Sequence, residues 1–475
     1  MQEIALSPSV ALIILVIFGL AWIAFGYLLG RSNKTLEDYM LAGRNVGLAF
    51  ATATAMATWV TSNTTMTAPQ VTYELGVWGM VGYSLGAVGL LLFAPLAKRI
   101  KQLLPHGFTS GDFIRERYGV VAWRVFLVIS LFYAFGWLIS LGMAGGILVN
   151  ALSGIPYHVG MTTILVVCVS YTLLGGLKAV IATDFVQTII IITGVIFIAY
   201  LVIQNVGFEQ MHTDLQTERP MLLDLLFPAA IMFLFNNLLF GVGEIFHSNV
   251  WWSRAFAFRQ DTGARAYFIA GLFWLPIPIV AGFIALAAPS LGINVPSSDM
   301  VGPLVSGRIL GTTGAIVVFI VVFSALASSL DSLLAATADL ITQDIYRGHI
   351  NPGASDEKCF RAGRIIILLL GLTTWILCVP RLTTLASLLY FTGAFVASAI
   401  WPIVFGLYYK WASGTAATLA MLSGTCLGLL AYFTIGYYVA AVASCAVSLL
   451  VIVLVSKIEN KTFDFDELSR GDKAL

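Results

Sequence analysis

Apolar runs of about twenty residues recur along the whole chain, separated by short clusters of Lys, Arg, Gly and Pro. A bilayer core about 30 Å thick takes roughly 20 apolar residues per helix. That ruler predicts about 13 spans, near residues 9–29, 47–72, 77–97, 121–150, 159–177, 180–203, 224–252, 266–290, 310–345, 363–380, 383–409, 414–434 and 436–456. The expected fold class is therefore an all-α polytopic membrane protein.

Composition removes most other classes. Hydrophobic residues make up 59% of 475 and charged residues 10%, and the mean hydropathy is +0.92. Soluble chains carry about 25% charge, so the solvent for this surface is the lipid bilayer. A net charge of +1 supplies no basic face for a nucleic-acid partner. The five cysteines have no CxxC spacing and the five histidines no HExxH pair, so neither a disulfide framework nor a zinc site is expected.

Charge also orients the spans. With the N-terminus outside, 22 of the 25 Lys and Arg, Lys34, Arg254 and Lys473 among them, fall in cytoplasmic segments. Only Arg219, Arg308 and Arg381 fall on the other side. A miscount by one span would reverse every later loop and abolish this asymmetry. The first apolar run is followed, not preceded, by basic residues, which reads as a retained helix and not a cleaved signal. There is no GxxxxGK[ST] loop, so neither an ATPase engine nor a kinase module is expected. No obligate protein partner is evident, and the tail 457–475 is expected to be a flexible cytoplasmic segment.

Polar groups inside the spans carry the candidate chemistry, because buried membrane charge is costly. Asp184 lies one turn into span 6, and Asp331 near the middle of span 9. Ser328, Asp331 and Ser332 are spaced i, i+3, i+4 and share a helix face. Oxygen ligands of this kind suit hard monovalent cations. Ser residues also serve close helix packing, but Asp331 needs a cation, a proton or a partner. Span 2, AFATATAMATWVTSNTTMTAPQ, places five hydroxyl or amide residues among the seven from Thr58 to Thr64. Span 7 carries Asn236, Asn237, Gly241, Gly243, Glu244, His247, Ser248 and Asn249. Two polar, interrupted helices at matching places in two halves point to an inverted-repeat transporter. Glu244 reads equally as a path-lining acid or a cap on a broken helix. Glu74 is expected as a solvated acid at the outer mouth.

These segments resemble a known family. YTLLGGLKAVIATDFVQ (171–187) is similar to the glycine-pair signature of the sodium:solute symporter family. LEDYMLAGRNVG (36–47) and SSLDSLLAATADLITQDIY (328–346) resemble its approach to the first core helix and its ion-site helix. GFTSGDFIRERYG (107–119), NVWWSRAFAF (249–258) and ARAYFIAGLFWLPIP (264–278) lean toward its urea/polyamine branch. The resemblance implies a LeuT-type five-plus-five inverted repeat with peripheral helices. Residues 1–46 would be a peripheral helix and loop, 47–203 the first repeat and 204–223 an outer loop. The second repeat would be 224–409, followed by two peripheral helices over 410–456.

By position, the resemblance implies a sodium ion held by the carbonyls of Ala57, Val60 and Ala325 and the hydroxyls of Ser328 and Ser329. Asp184, Asp331 and Ser332 would form the place of a second cation or a proton. Asp331 stands where several members have a hydroxyl, so that second ion's identity stays open. A small polar solute is expected between spans 2, 4, 7 and 11. The candidate contacts there are Trp59, Ser62, Asn63, Thr64, Tyr133, Trp137, Glu244, His247, Ser248, Trp251 and Tyr390. The expected activity is sodium-coupled symport with urea-like solutes favoured, and no enzymatic function. The alternatives are proton-coupled symport of a similar solute or a passive channel. A sensor would need an output domain, and an enzyme a nucleophile and base; neither constellation is present in the sequence.

Overall fold

In hydrocarbon every backbone N–H and C=O needs an internal partner, which leaves the helix as the solution for apolar runs of this length. The computed structural model describes residues 5–31 and 35–471; Lys34 and Lys473 of the charge asymmetry lie outside them. Among the described residues there is no β-ladder, only an isolated bridge between Val46 and Phe258. Eleven helical stretches among the described residues are long and apolar enough to cross a membrane, against the thirteen expected.

Two places account for the difference. Span 2 is two short helices, α2 (Leu48–Trp59) and α3 (Ser62–Leu75), each too short to be counted alone. Spans 5 and 6 form one continuous stretch, α5 (Tyr157–Val206), of 50 residues. At about 1.5 Å per residue that is roughly 75 Å, more than twice the hydrocarbon thickness. The stretch bends at Gly176, whose φ of 62° only glycine adopts readily. A Cβ there would also sit 2.5 Å from the Tyr39 ring.

The other elements that build the site are α4 (Val120–Ser153), α6 (Pro228–His247), α7 (Asn249–Ala257), α8 (Gly263–Trp274) and α9 (Val301–Leu340). Preceding them, α1 (Pro8–Gly30) packs on α5 and turns Ile13, Ile17 and Leu20 outward. The last two long helices, α10 (Gly414–Thr434) and α11 (Ala440–Glu459), pack on each other. At the centre, α2 lies against α5, α8 and α9, and α3 and α7 lie against α9.

Both broken helices restart on a hydroxyl. Thr61 is extended (φ −90°, ψ 172°) and forms a reciprocal capping box with Thr64. Ser248 is extended too (φ −70°, ψ 131°), and its side chain accepts from the Val250 N–H at 3.3 Å. The expected span 224–252 is therefore interrupted at Ser248. Glu74 is not a solvated acid: it lies in α3, half-buried, and accepts from Gln70 (2.9 Å), Ser298 (2.5 Å) and Tyr437 (2.9 Å).

Candidate functional site at the two helix breaks

The capping box at Thr61 has a consequence one turn upstream. The Thr61 N–H donates to the Thr64 hydroxyl at 3.2 Å, and the Thr64 N–H to the Thr61 hydroxyl at 3.1 Å. In an unbroken helix those two donors would serve the carbonyls of Ala57 and Val60. Both carbonyls thus lose their helical partners, and α9 lies alongside them. The Ser329 hydroxyl donates to the carbonyls of Thr58 and Ala325, each at 3.1 Å. The Ser328 hydroxyl donates to Asp184 Oδ1. Ala57, Val60, Ala325, Ser328 and Ser329 are all buried at this one junction, a set of oxygens suited to a small cation.

Beside it is a charged cluster whose cation was assigned elsewhere by sequence. Arg254 was expected in a cytoplasmic loop; it lies within α7 with 0% of its side chain exposed, as has Asp184. One guanidinium nitrogen is 3.3 Å from Asp184 Oδ2, 2.7 Å from the Ser332 hydroxyl and 2.8 Å from that of Thr58. Nε donates to the Thr54 hydroxyl at 3.0 Å, and the other nitrogen to the Val250 carbonyl at 3.1 Å. Thr54 in turn donates to Asp184 Oδ2 at 2.6 Å. The position expected for a second cation at Asp184 and Ser332 therefore already holds positive charge from the chain itself.

Asp331 joins neither set. It is fully buried and has no cationic partner; its polar neighbours are the Tyr171 hydroxyl and the Ser332 N–H, neither in close hydrogen-bond geometry. The Tyr171 hydroxyl nearby donates to the Ala327 carbonyl at 2.9 Å.

The aromatic residues form a third group. Trp59, Thr61, Thr64, Tyr83, Trp137, Asn237, Phe240 and Trp274 line a small cavity at the first break. Trp59 stacks on Trp137 with centroids 5.9 Å apart and packs against Trp274 at 5.7 Å. The Trp59 carbonyl, freed by the same break, accepts from the Thr64 hydroxyl (3.1 Å) and the Trp274 indole (2.7 Å). The indole N–H groups of Trp59 and Trp137 have no acceptor, nor does the Asn63 amide nitrogen. The Asn63 oxygen accepts from Ser140 at 3.0 Å, and the Ser62 hydroxyl is buried without a partner.

The expected solute residues do not all meet there. Trp59, Thr64 and Trp137 line this cavity; Tyr133, His247 and Ser248 line another at the second break, with Ser130, Asn249 and Thr337. Glu244 accepts from the Tyr133 hydroxyl and from the Trp251 indole at 3.1 and 3.0 Å. Its carboxylate is thus held by side chains and caps no backbone. Trp251 meets the Trp59 ring edge-on at 5.7 Å, and His247 is 2.9 Å from the Ser130 hydroxyl. Tyr390 stands behind the cavity, donating to the Asn237 oxygen at 2.9 Å. Tyr83, Phe240, Trp274 and Arg254 were missed by sequence, and Asn237 was noted only as a polar residue of span 7. For Arg254 a signal existed: it sits in WWSRAFAF, a charge inside an apolar run.

Comparison with known proteins agrees with this architecture. The urea-proton symporter DUR3 of rice is 26% identical over 454 residues, covering 88% of this chain and 63% of that protein. The osmoregulated proline transporter OpuE of Bacillus subtilis is 25% identical over 449 residues, covering 89% and 87%. The chain spans about three fifths of the length of the urea transporters it matches. The solved structure of a substrate-bound, outward-open Na+-coupled sialic acid symporter matches with a TM-score of 0.77. It covers 95% of this chain and 98% of that one at 17% identity, a likeness that shows the LeuT-type fold. The sequence profile of the sodium:solute symporter family matches residues 39–424. With four fifths of its length matched and the fold in agreement, the chain belongs to the sodium:solute symporter family.

Proposed function

We propose that this symporter couples inward sodium movement to uptake of a small, neutral polar solute, urea-like compounds favoured, across the plasma membrane. The N-terminus would face outward and the C-terminus the cytoplasm. The observation that carries the sodium reading is the Thr61–Thr64 capping box, which withdraws two donors from the Ala57 and Val60 carbonyls beside Ser328 and Ser329. Freed carbonyls and hydroxyls at a helix break are the ligands a hard monovalent cation takes.

Sodium is a co-substrate here, and its coupling to the solute is mechanical. A cation joining the α2–α3 break to α9 fixes the turn that also presents Trp59 and Thr64 to the cavity. The solute site is completed only when that turn is ordered, and rocking of the repeats then exposes both ligands inward. The membrane potential contributes about 2.3 kcal/mol per charge per 100 mV.

The solute class is supported by the donors left over. A buried donor without an acceptor costs about 1–3 kcal/mol, and the Trp59 and Trp137 indoles are two of them beside the cavity. A small neutral solute with a carbonyl oxygen supplies the kind of acceptor that such donors lack. The buried acid at the neighbouring break, Glu244, is already occupied by two donors, so nothing there calls for a charged solute. The names of the urea-transporting relatives agree with this choice.

Uptake of radiolabelled urea and of proline into proteoliposomes, in sodium and in potassium, tests the proposal. Accumulation of urea that needs sodium, and that needs about tenfold more of it in Ser328→Ala and Ser329→Ala, is expected. Flux indifferent to every ion gradient would make the protein a facilitator. Accumulation driven by an inward proton gradient without sodium would put a proton in sodium's place.

A further inference from the structure

We infer that Arg254 is a resident cation in the position where a second sodium would otherwise bind, so that one sodium moves with each solute. The inference rests on the sodium reading above and adds a stoichiometry to it.

The oxygens around the guanidinium form the basis. Asp184 Oδ2 and the hydroxyls of Thr54, Thr58 and Ser332 come from three separate helices, α5, α2 and α9, and all four meet Arg254 within 3.3 Å. One carboxylate and three hydroxyls at one buried point make a cation site by composition. Here the cation arrives on α7, as a side chain that stays attached through the cycle. A guanidinium is always charged and presents its donors in a fixed fork, so it can serve several oxygens at once.

A purely structural ion pair is the competing description, and the geometry weighs against it. Buried ion pairs seldom gain net stability over apolar packing, and a membrane interior makes both charges more costly still. This pair also shares an atom-level link with the proposed transport site: Ser328 donates to the other oxygen of the same Asp184. The guanidinium on Oδ2 and the sodium site beyond Oδ1 therefore draw on one carboxylate. Arg254 balances the Asp184 charge, so the pair has no net negative charge with which to hold a second cation, and the one added sodium rests on the neutral oxygens of the α2 break and α9.

The test is sodium titration of the purified full-length protein, read by tryptophan fluorescence, since Trp59 adjoins Val60 at the α2 break and Trp251 lies one turn before Arg254 in α7. Reversal potentials in proteoliposomes give the charge moved per solute independently. The wild type is expected to titrate with a Hill coefficient of about 1 and to move about one charge per neutral solute. Arg254→Ala, which vacates the four oxygens, is expected to take a second sodium, raising the Hill coefficient toward about 2. The double variant Asp184→Asn/Arg254→Ala should return it to about 1. Two charges per solute in the wild type would overturn the inference and leave the sodium reading intact. So would an Arg254→Ala protein that folds, binds sodium and titrates as the wild type does. If neither variant folds, the wild-type reversal potential decides alone. A wild type with no response to sodium would overturn the sodium reading itself.

Discussion

Asp184 and Asp331 are both aspartates, both fully buried among membrane helices, and they act electrostatically on each other. Their surroundings are opposite. Asp184 is met by Arg254, Thr54, Thr58 and Ser328. Asp331 has no cation beside it, only the Tyr171 hydroxyl and the Ser332 N–H at its edge, neither in close hydrogen-bond geometry. The difference comes from where each side chain leaves its helix: Asp184 faces the junction of α2, α7 and α9, where hydroxyls are dense. Asp331 faces Tyr171, whose hydroxyl is already committed to a backbone carbonyl. In this molecule a buried acid is structural or available according to its neighbours' spare donors, and not according to burial itself.

The comparison breaks most readily at Asp184. Asp184→Asn strands the Arg254 charge, and stranding one partner of a buried pair costs about 3–5 kcal/mol; thermal unfolding in detergent should show a large drop in midpoint and no transport. Next in size are the serines on the Asp184 side. Ser328→Ala and Ser329→Ala should each weaken sodium about tenfold, equivalent to about 1.4 kcal/mol, in a fluorescence titration. The same contrast between satisfied and spare groups extends to the indoles. Trp251 is bound by Glu244 while Trp137 has no acceptor. Trp137→Phe, which keeps the ring stack, should therefore raise KM for the solute about fivefold, or about 1 kcal/mol, with little change in melting. The smallest effect is expected at Asp331→Asn, under about 1 kcal/mol, because no charged partner is stranded and no close hydrogen bond is lost. Equal destabilisation by Asp184→Asn and Asp331→Asn would end the comparison.

Much of this was legible in the sequence. The polar interruptions at Thr58–Thr64 and Asn236–Asn249 marked both breaks, since lipid-facing turns have no use for them. Asp184, Asp331, Ser328 and Ser332 stood out because charge and hydroxyls inside apolar runs need a reason, whereas Ser329 was named only by the family resemblance. Arg254 was misread for a physical reason: Arg259 and Arg265 follow it closely, so it merged with a basic loop. Helix α7 instead restarts at Asn249 and carries it back into the bundle. Trp274 and Tyr83 were not legible at all, and Asn237 was legible as a polar break residue but not as cavity lining. Aromatic and amide residues in apolar spans follow no periodicity that separates cavity lining from packing, and only α8 lying against α2 brings Trp274 to the Trp59 carbonyl.

The most direct test of the account is solute-driven sodium entry. Proteoliposomes held without a sodium gradient and given an inward urea gradient are assayed for radiolabelled sodium. The account predicts transient sodium accumulation in the wild type and, at sodium well below saturation, an accumulation lowered about tenfold in Ser328→Ala or Ser329→Ala. Urea entry with no accompanying sodium, or sodium entry unchanged in both serine variants, would contradict it.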